Sequence, residues 1–265
     1  MPPNTAAPPP HDLKFAVIAT DAVVLAIIEG ALHVRLIDVR APEYAGIKGL
    51  PGGLIHPDET AEEASLRQQR TKGGIAHAHT EQLYTFSGVH RDKRSRVVSV
   101  AYLSLLPETE ALKAETTDWG GVWVPVCRLP QPLAYDHAEI VRLGLERLRA
   151  KITYSNIAHG LLPKTFTLTE LQTCYEVVLG RALDKRNFRR KVELLGIVKP
   201  TREQRVAGSG RPAQLYRFVA TEAPEAIGAP EPAAGAQPAV HVARISPVLR
   251  RRGRVVPTSP SEGHR

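Results

Sequence analysis

The stretch Leu50 to Ile75, LPGGLIHPDETAEEASLRQQRTKGGI, sets two glycine pairs on either side of a run rich in Ala, Glu and Arg. Leu50 to Gly53 read as a Gly-rich turn. Thr60 to Lys72 read as a helix ended by Gly73 and Gly74, because glycine enters the left-handed conformation that closes a helix without steric cost. The unit is therefore loop, helix, loop.

Working outward, FAVIATDAVVLAII (15–28) and ALHVRLIDV (31–39) are β-branched runs separated by Glu29 and Gly30, a hairpin signal. EQLYTFS, RVVSVAYLSLL and GVWVPV supply further strand-like runs. In DHAEIVRLGLERLRAKI, residues Ile140, Leu143, Leu145 and Leu148 recur at helical spacing and close the block. The first block is expected to be α+β with a mixed sheet.

After Ile152 the pattern changes. Thr167 followed by Glu170 is a capping box, and Leu168, Leu171, Tyr175 and Val178 form the apolar stripe of a helix stopped by Gly180. Asp184 caps a second helix, KRNFRRKVELLG, with Phe188, Val192 and Leu195 at i, i+4 and i+7. GIVKPT, a polar turn containing GSGRPA, and QLYRFV then read as a two-stranded wing. From Arg181 to Arg217 there are eleven Lys or Arg against three acids, an excess equal to the formal charge of +8 on all 265 residues. Lys185, Arg186, Arg189 and Arg190 share the face opposite the apolar stripe. Such a face suits the DNA major groove, with cations of a flanking hairpin on phosphates; a solvated charged face is the bland alternative.

The boundaries expected are a disordered tail at 1–11, a first domain at 12–152, a winged helix-turn-helix at 153–220 and a second disordered tail, rich in Pro, Ala and Arg, at 221–265. Two cysteines, Cys127 and Cys174, without a CxxC pair support neither a disulfide framework nor zinc. His77 and His79 have the i, i+2 spacing of one strand face but no third ligand, so no metal site is assigned. No run approaches 18 uncharged apolar residues, and a soluble, cytoplasmic protein with no membrane contact is expected.

The Leu50–Ile75 unit resembles the signature box of Nudix hydrolases. There a Gly is followed six positions later by Glu, then by an Arg-Glu pair, a Glu-Glu pair and a Gly. Gly53, Glu59, Arg67 and Gly74 fall at those spacings, with Ile75 as the closing apolar residue. The helix glutamates that gather metal against a diphosphate in that family are absent: Gln68, Thr71 and Lys72 stand there, and Gln69 occupies an apolar position. The order of this box, AYDHAEI, LLPKTFTLTELQTCYEVVLGRALDKRNFRRKV and GRPAQLYRF, with QLYTFSGVHRDKRSRVVSVAY between, is similar to the Nudix-related, NrtR-type regulators of NAD metabolism. The resemblance spans Leu13 to Val219. It implies a Nudix-like α/β/α sandwich followed by a winged helix, in a homodimeric repressor of NAD biosynthesis or salvage genes. It further implies ADP-ribose or a related nucleotide as effector, a palindromic double-stranded operator, no required cofactor and no catalytic residues; whether magnesium takes part stays open. The alternatives are a residual hydrolase of a nucleoside diphosphate derivative using Glu59, Glu62 and Glu63, and a DNA-binding protein whose Nudix part is only a scaffold.

Carried over residue by residue, the resemblance implies a ligand pocket with Arg40, Lys48, Arg94 and Arg96 as its cations. Gly52, Gly53, Glu59 and Lys72 come from the box, and Asp136 and His137 from the junction. Lys72 either meets the pyrophosphate directly or is a solvent-facing lysine at a helix end. His137 serves either as a hydrogen-bonding residue at the helix start or as a proton shuttle. The DNA-facing set is Lys164, Thr169, Lys185, Arg186, Arg189, Arg190, Lys199, Arg202, Arg205 and Arg211.

Overall fold

The structure, a computed structural model, describes residues 15–206 and 212–219; the expected tails and Arg211 lie outside them. Strand β1 (Val17–Ile28) turns into β2 (Ala31–Asp38) through Glu29 and Gly30, both at positive φ. A tight hairpin with right-handed strand twist needs that turn geometry. Two short strands follow, β3 (Lys48–Gly49) and β4 (Gly52–Leu54), then α1 (Ala61–Thr71). The expected turn at Leu50–Gly53 is thus corrected: Gly52 and Gly53 are strand residues, paired with Asp21 and Thr20 of β1. α1 opens on a capping box formed by Thr60 and Glu63.

β5 (His79–Phe86), β6 (Val97–Leu105), α2 (Glu108–Ala111), β7 (Val122–Pro125) and α3 (His137–Lys151) complete the first block. The sheet runs β3-β2-β1-β6-β5, with β4 on β1 and β7 on β2. β1 and β6 are parallel and the remaining pairs antiparallel, so the sheet is mixed. β1 is buried on both faces, and its alternation sorts side chains into two cores. Val23 and Leu25 join Ile140, Val141, Leu145 and Leu148 of α3. Ala22, Val24, Ala26 and Ile28 join Ile75, Leu106 and Ala111 on the other side.

The second block holds α4 (Leu168–Leu179), α5 (Lys185–Leu195), β8 (Val198–Arg205) and β9 (Ala213–Phe218). Thr167 and Glu170 form the capping box of α4, Gly180 ends it at φ 66°, and Asp184 accepts from Asn187 N–H to start α5. β8 and β9 form an antiparallel wing, extended by the main-chain pairing of Phe166 with Tyr216. One expectation fails: Phe188 and Val192 are buried, but Leu195 is exposed, because α5 ends there at Gly196 and projects past the core.

The two blocks share one hydrophobic core. Leu171, Cys174, Val178, Phe188 and Val192 belong to the same buried cluster as the sheet and α3. Arg149 Nε of α3 donates to Val178 O at the end of α4 (3.3 Å), and Lys151 of α3 pairs with Glu81 of β5.

Candidate functional site

A cavity of about 490 Å³ opens above β1 and β4, between α1, the 88–97 loop, the Trp119 loop and the start of α3. At its floor lies Asp21, a carboxylate in an otherwise apolar strand. Ser99 Oγ donates to Asp21 Oδ2 (2.6 Å), Arg91 Nη2 donates to the same oxygen (3.0 Å), and His137 Nε2 lies 3.2 Å from Oδ1. Burial pushes the Asp21 carboxyl up, but His137, Arg91 and Ser99 more than reverse this and hold it well below the usual carboxylate range. Gly52 must be glycine: a Cβ there would sit 2.1 Å from Asp21 Oδ1 and 2.6 Å from Thr20 O.

His137 is buried and lines the cavity. Leu50 N–H donates to its Nδ1 (2.8 Å), so that nitrogen carries no proton and Nε2–H faces Asp21. The hydrogen-bonding role is thereby filled. Its neighbour Asp136 does not line the cavity; both its oxygens accept from Arg91, at 2.8 and 2.6 Å. Arg94 lines the wall but is tied to Asp92 through Nε and Nη2, and donates to Tyr135 Oη (3.2 Å). Tyr135 itself holds φ 54°, its ring tilted 45° against that of Tyr44 with centroids 4.2 Å apart. Such a conformation persists in a non-glycine residue only where its surroundings enforce it.

The remaining cations of the cavity meet at Trp119. Arg40 Cζ lies 4.2 Å and Lys72 Nζ 4.3 Å from the centre of its ring. Arg40 donates to Asp118 O (2.8 Å) and Lys72 to Gly52 O (2.6 Å). Lys72 is therefore turned inward over Gly52 and Gly53, which excludes the solvent-facing alternative. Burial lowers its pKa, helped by the nearby Arg67 and Arg40 and opposed by Asp21.

Besides Asp136, three expected pocket residues stand elsewhere. Glu59 is held by Arg67, whose Nε donates to Oε2 at 2.9 Å, and accepts from His56 N–H (2.8 Å); the Arg67 hydrogen bond above all brings its pKa down to about 2. This pair closes the loop onto α1 rather than facing the cavity. Lys48 pairs with Asp38 (2.7 Å), and Arg96 donates to the carbonyls of Gly88 and Val97. Sequence reasoning missed Asp21, Arg91, Trp119 and Tyr135. The acid within an apolar β run was a usable signal for Asp21; Arg91 and Trp119 sit in loops without a period and gave none.

The residues do not fit a divalent ion. Thr71 Oγ1 donates back to Arg67 O, Gln68 Nε2 packs on Gly53, and Lys72 brings a positive charge to the third position. Glu63 is spent on the Thr60 cap. Among the described residues no cluster of three or more His, Cys, Asp or Glu can hold a metal. His77 precedes β5, and His79 packs on His159 instead of pairing with it.

On the second block, Lys185, Arg186, Arg189 and Arg190 line a shallow exposed surface with Asp184 and Glu193. Lys199, Arg202, Lys164 and Thr169 are exposed as well. Arg205 is not free, since its guanidinium pairs with Glu170 of the α4 cap. No helix among the described residues is long and apolar enough to cross a membrane.

Comparison with known proteins matches the NrtR DNA-binding winged helix domain over residues 158–218 and the NUDIX domain over residues 19–144. An ADPR responsive transcriptional repressor, NtrR, of Acinetobacter baylyi is 31% identical over 213 residues, which span 78% of this chain and 84% of that protein. The chain belongs to the NrtR family. The crystal structure of Shewanella oneidensis NrtR complexed with a 27mer DNA superposes with a TM-score of 0.69 at 33% identity, covering 76% of this chain and 93% of that one. An ADP-ribose pyrophosphatase of Methanocaldococcus jannaschii is 30% identical over 116 residues, or 44% of this chain and 68% of that protein. The matches to the A. baylyi repressor and to S. oneidensis NrtR run through both blocks, whereas the pyrophosphatase match covers 44% of this chain.

Proposed function

We propose that this NrtR-family chain is a DNA-binding transcriptional repressor of NAD biosynthesis or salvage genes, with ADP-ribose or a related nucleotide as its effector in the cavity above Asp21. The observation that carries the reading is the continuous core joining the cavity's sheet and α3 to a winged helix with an exposed basic face. A ligand regulates DNA binding only if its affinity differs between DNA-competent and DNA-incompetent states, and a shared core is a physical means of making occupancy of one block felt in the other. The name of the A. baylyi relative, ADPR responsive repressor, supports the effector class.

The degenerate helix argues against hydrolase activity: Gln68, Thr71 and Lys72 offer no carboxylates for the metal such chemistry uses, and Glu59 and Glu63 are engaged in closing the loop and capping α1. Of the three upstream glutamates that leaves Glu62, exposed in the first turn of α1. Two copies acting as a homodimer present two α5 helices to a palindrome, with half-sites about one or two helical turns apart. The deciding test is binding of the purified chain to the DNA upstream of its own gene neighbourhood at fixed salt, with and without ADP-ribose. Sequence-selective binding shifted by ADP-ribose is expected. Selective binding indifferent to every nucleotide would reduce the Nudix block to a scaffold, and AMP release from ADP-ribose with magnesium or manganese would restore the hydrolase.

A further inference from the structure

The cavity sorts its cations into two kinds. Arg91 is neutralised by Asp21 and Asp136, and Arg94 by Asp92. Arg40 and Lys72 have no carboxylate within ion-pair distance among the described residues, and both lie over Trp119 on one side of the cavity. Lys72 spends one donor on Gly52 O and is a three-proton donor, so N–H groups remain for a ligand. It stands where the Nudix box has a metal-binding glutamate, and β4 beneath it carries Gly52, whose carbonyl it meets, and Gly53, where a Cβ would stand 3.1 Å from Lys72 Nζ. A partly buried ammonium beside a second unpaired cation is an arrangement that an anion relieves. A diphosphate presents several oxygens and two charges to meet both groups.

We infer that Lys72, together with Arg40, takes the place of the divalent cation of hydrolytic Nudix sites, so that this cavity binds the diphosphate of a nucleoside diphosphate ester without metal. The inference rests on the effector reading above and adds to it the means of holding the ligand. An ammonium supplies charge and hydrogen bonds but, unlike a metal ion, generates no hydroxide nucleophile from bound water. The exchange of the box glutamates for Gln68, Thr71 and Lys72 thus keeps recognition while removing cleavage, which is what a sensor needs if its signal is to survive being read.

Calorimetric titration of the full chain with ADP-ribose, in EDTA and in magnesium, tests this directly. Equal affinity in the two buffers is expected. Lys72→Met is expected to lose about 10- to 100-fold in EDTA, the cost of one charged hydrogen-bonding partner, whereas Lys72→Arg retains most of the affinity and adenosine, which has no phosphate, is bound alike by all three chains. Thermal melting of each variant establishes that it is folded. Binding that requires magnesium, or a folded Lys72→Met chain with unchanged affinity in EDTA, overturns the inference and leaves the effector reading standing. No ADP-ribose binding in either buffer overturns both.

Discussion

His137 Nε2 lies 3.2 Å from Asp21 Oδ1, while Leu50 N–H occupies its Nδ1. A buried carboxylate at the floor of the cavity is thus fixed by a helix-start imidazole from the far end of the block. The folded-state pKa of Asp21 lies below its ordinary 3.8, because His137, Arg91 and Ser99 together outweigh burial. Stability from this group is present above pH 3.8 and is lost as pH falls below it, where the unfolded chain takes up the proton first. Asp21→Asn is expected to remove that part of the slope from the urea midpoint measured between about pH 5 and pH 2. A slope identical to the parent would show that other carboxylates govern acid unfolding.

Gly52→Ala places a methyl group against Asp21 Oδ1 and, at 2.6 Å, against the carbonyl of Thr20, which as backbone of a central strand cannot yield. Destabilisation of about 1–3 kcal/mol, the usual range for overpacking, is expected in chemical denaturation. Full stability would mean that β4 moves freely from β1.

Gln69 is buried at an apolar position of the box. Its amide nitrogen reaches Ser65 Oγ (3.2 Å), but its Oε1 has no partner among the described residues. Gln69→Met fills the same volume without an orphaned acceptor and is expected to stabilise the fold by about 1 kcal/mol, after allowance for the lost Ser65 contact. A lowered melting temperature would contradict this.

On the DNA side, Arg186→Ala and Arg189→Ala leave an exposed helix face intact, so their melting curves should match the parent. Where such an arginine reads a base, operator affinity falls by about 1–3 kcal/mol and discrimination relaxes at one position. Lys199→Ala on the wing should instead weaken binding to all sequences and reduce the salt slope by about one. Salt-dependence curves superimposable on the parent's would remove Lys199 from the contact surface.

His79 of β5 and His159, before α4, meet with ring centroids 4.3 Å apart, and His159 also faces Phe218 of the wing at 6.4 Å. Burial, then the neighbouring His159 and Lys151, lower the His79 pKa from 6.5, with Glu81 opposing. The stability carried by neutral His79 is present above 6.5 and lost as pH falls below it. His159→Phe keeps a ring there and removes the imidazole neighbour, and NMR titration is expected to show the His79 pKa moving back upward. If the ring chain also transmits occupancy, His159→Ala keeps DNA affinity but reduces the shift caused by ADP-ribose; an undiminished shift would route the coupling through α3 instead.

Periodicity and chain punctuation carried most of the fold. The hairpin at Glu29–Gly30, the α4 capping box, the left-handed Gly180 and the Asp184 cap are local signals, each made by residues within a few positions of one another. They need no tertiary information, and they appear in the structure where the sequence places them. Leu195 shows the limit of a period: the i+7 position completes the stripe on paper, yet the helix ends before anything is there to cover it.

The site divides along the same line. The sequence by itself determined the box with its lost glutamates, the inverted charge at Lys72, and the basic face of α5, since all are matters of residue type and spacing. Only the tertiary structure decided which cations are spent. Arg94 and Lys48 look in sequence like Arg40 and Lys72, but ion pairing to Asp92 and Asp38 removes them from the groups seeking an anion. Asp21, Arg91 and Trp119 enter for the reciprocal reason: they lie far apart in the chain and acquire meaning from β1 running beside β6 and from loops folding over it. Pairing of charges is a property of distances across the fold, which no local pattern encodes.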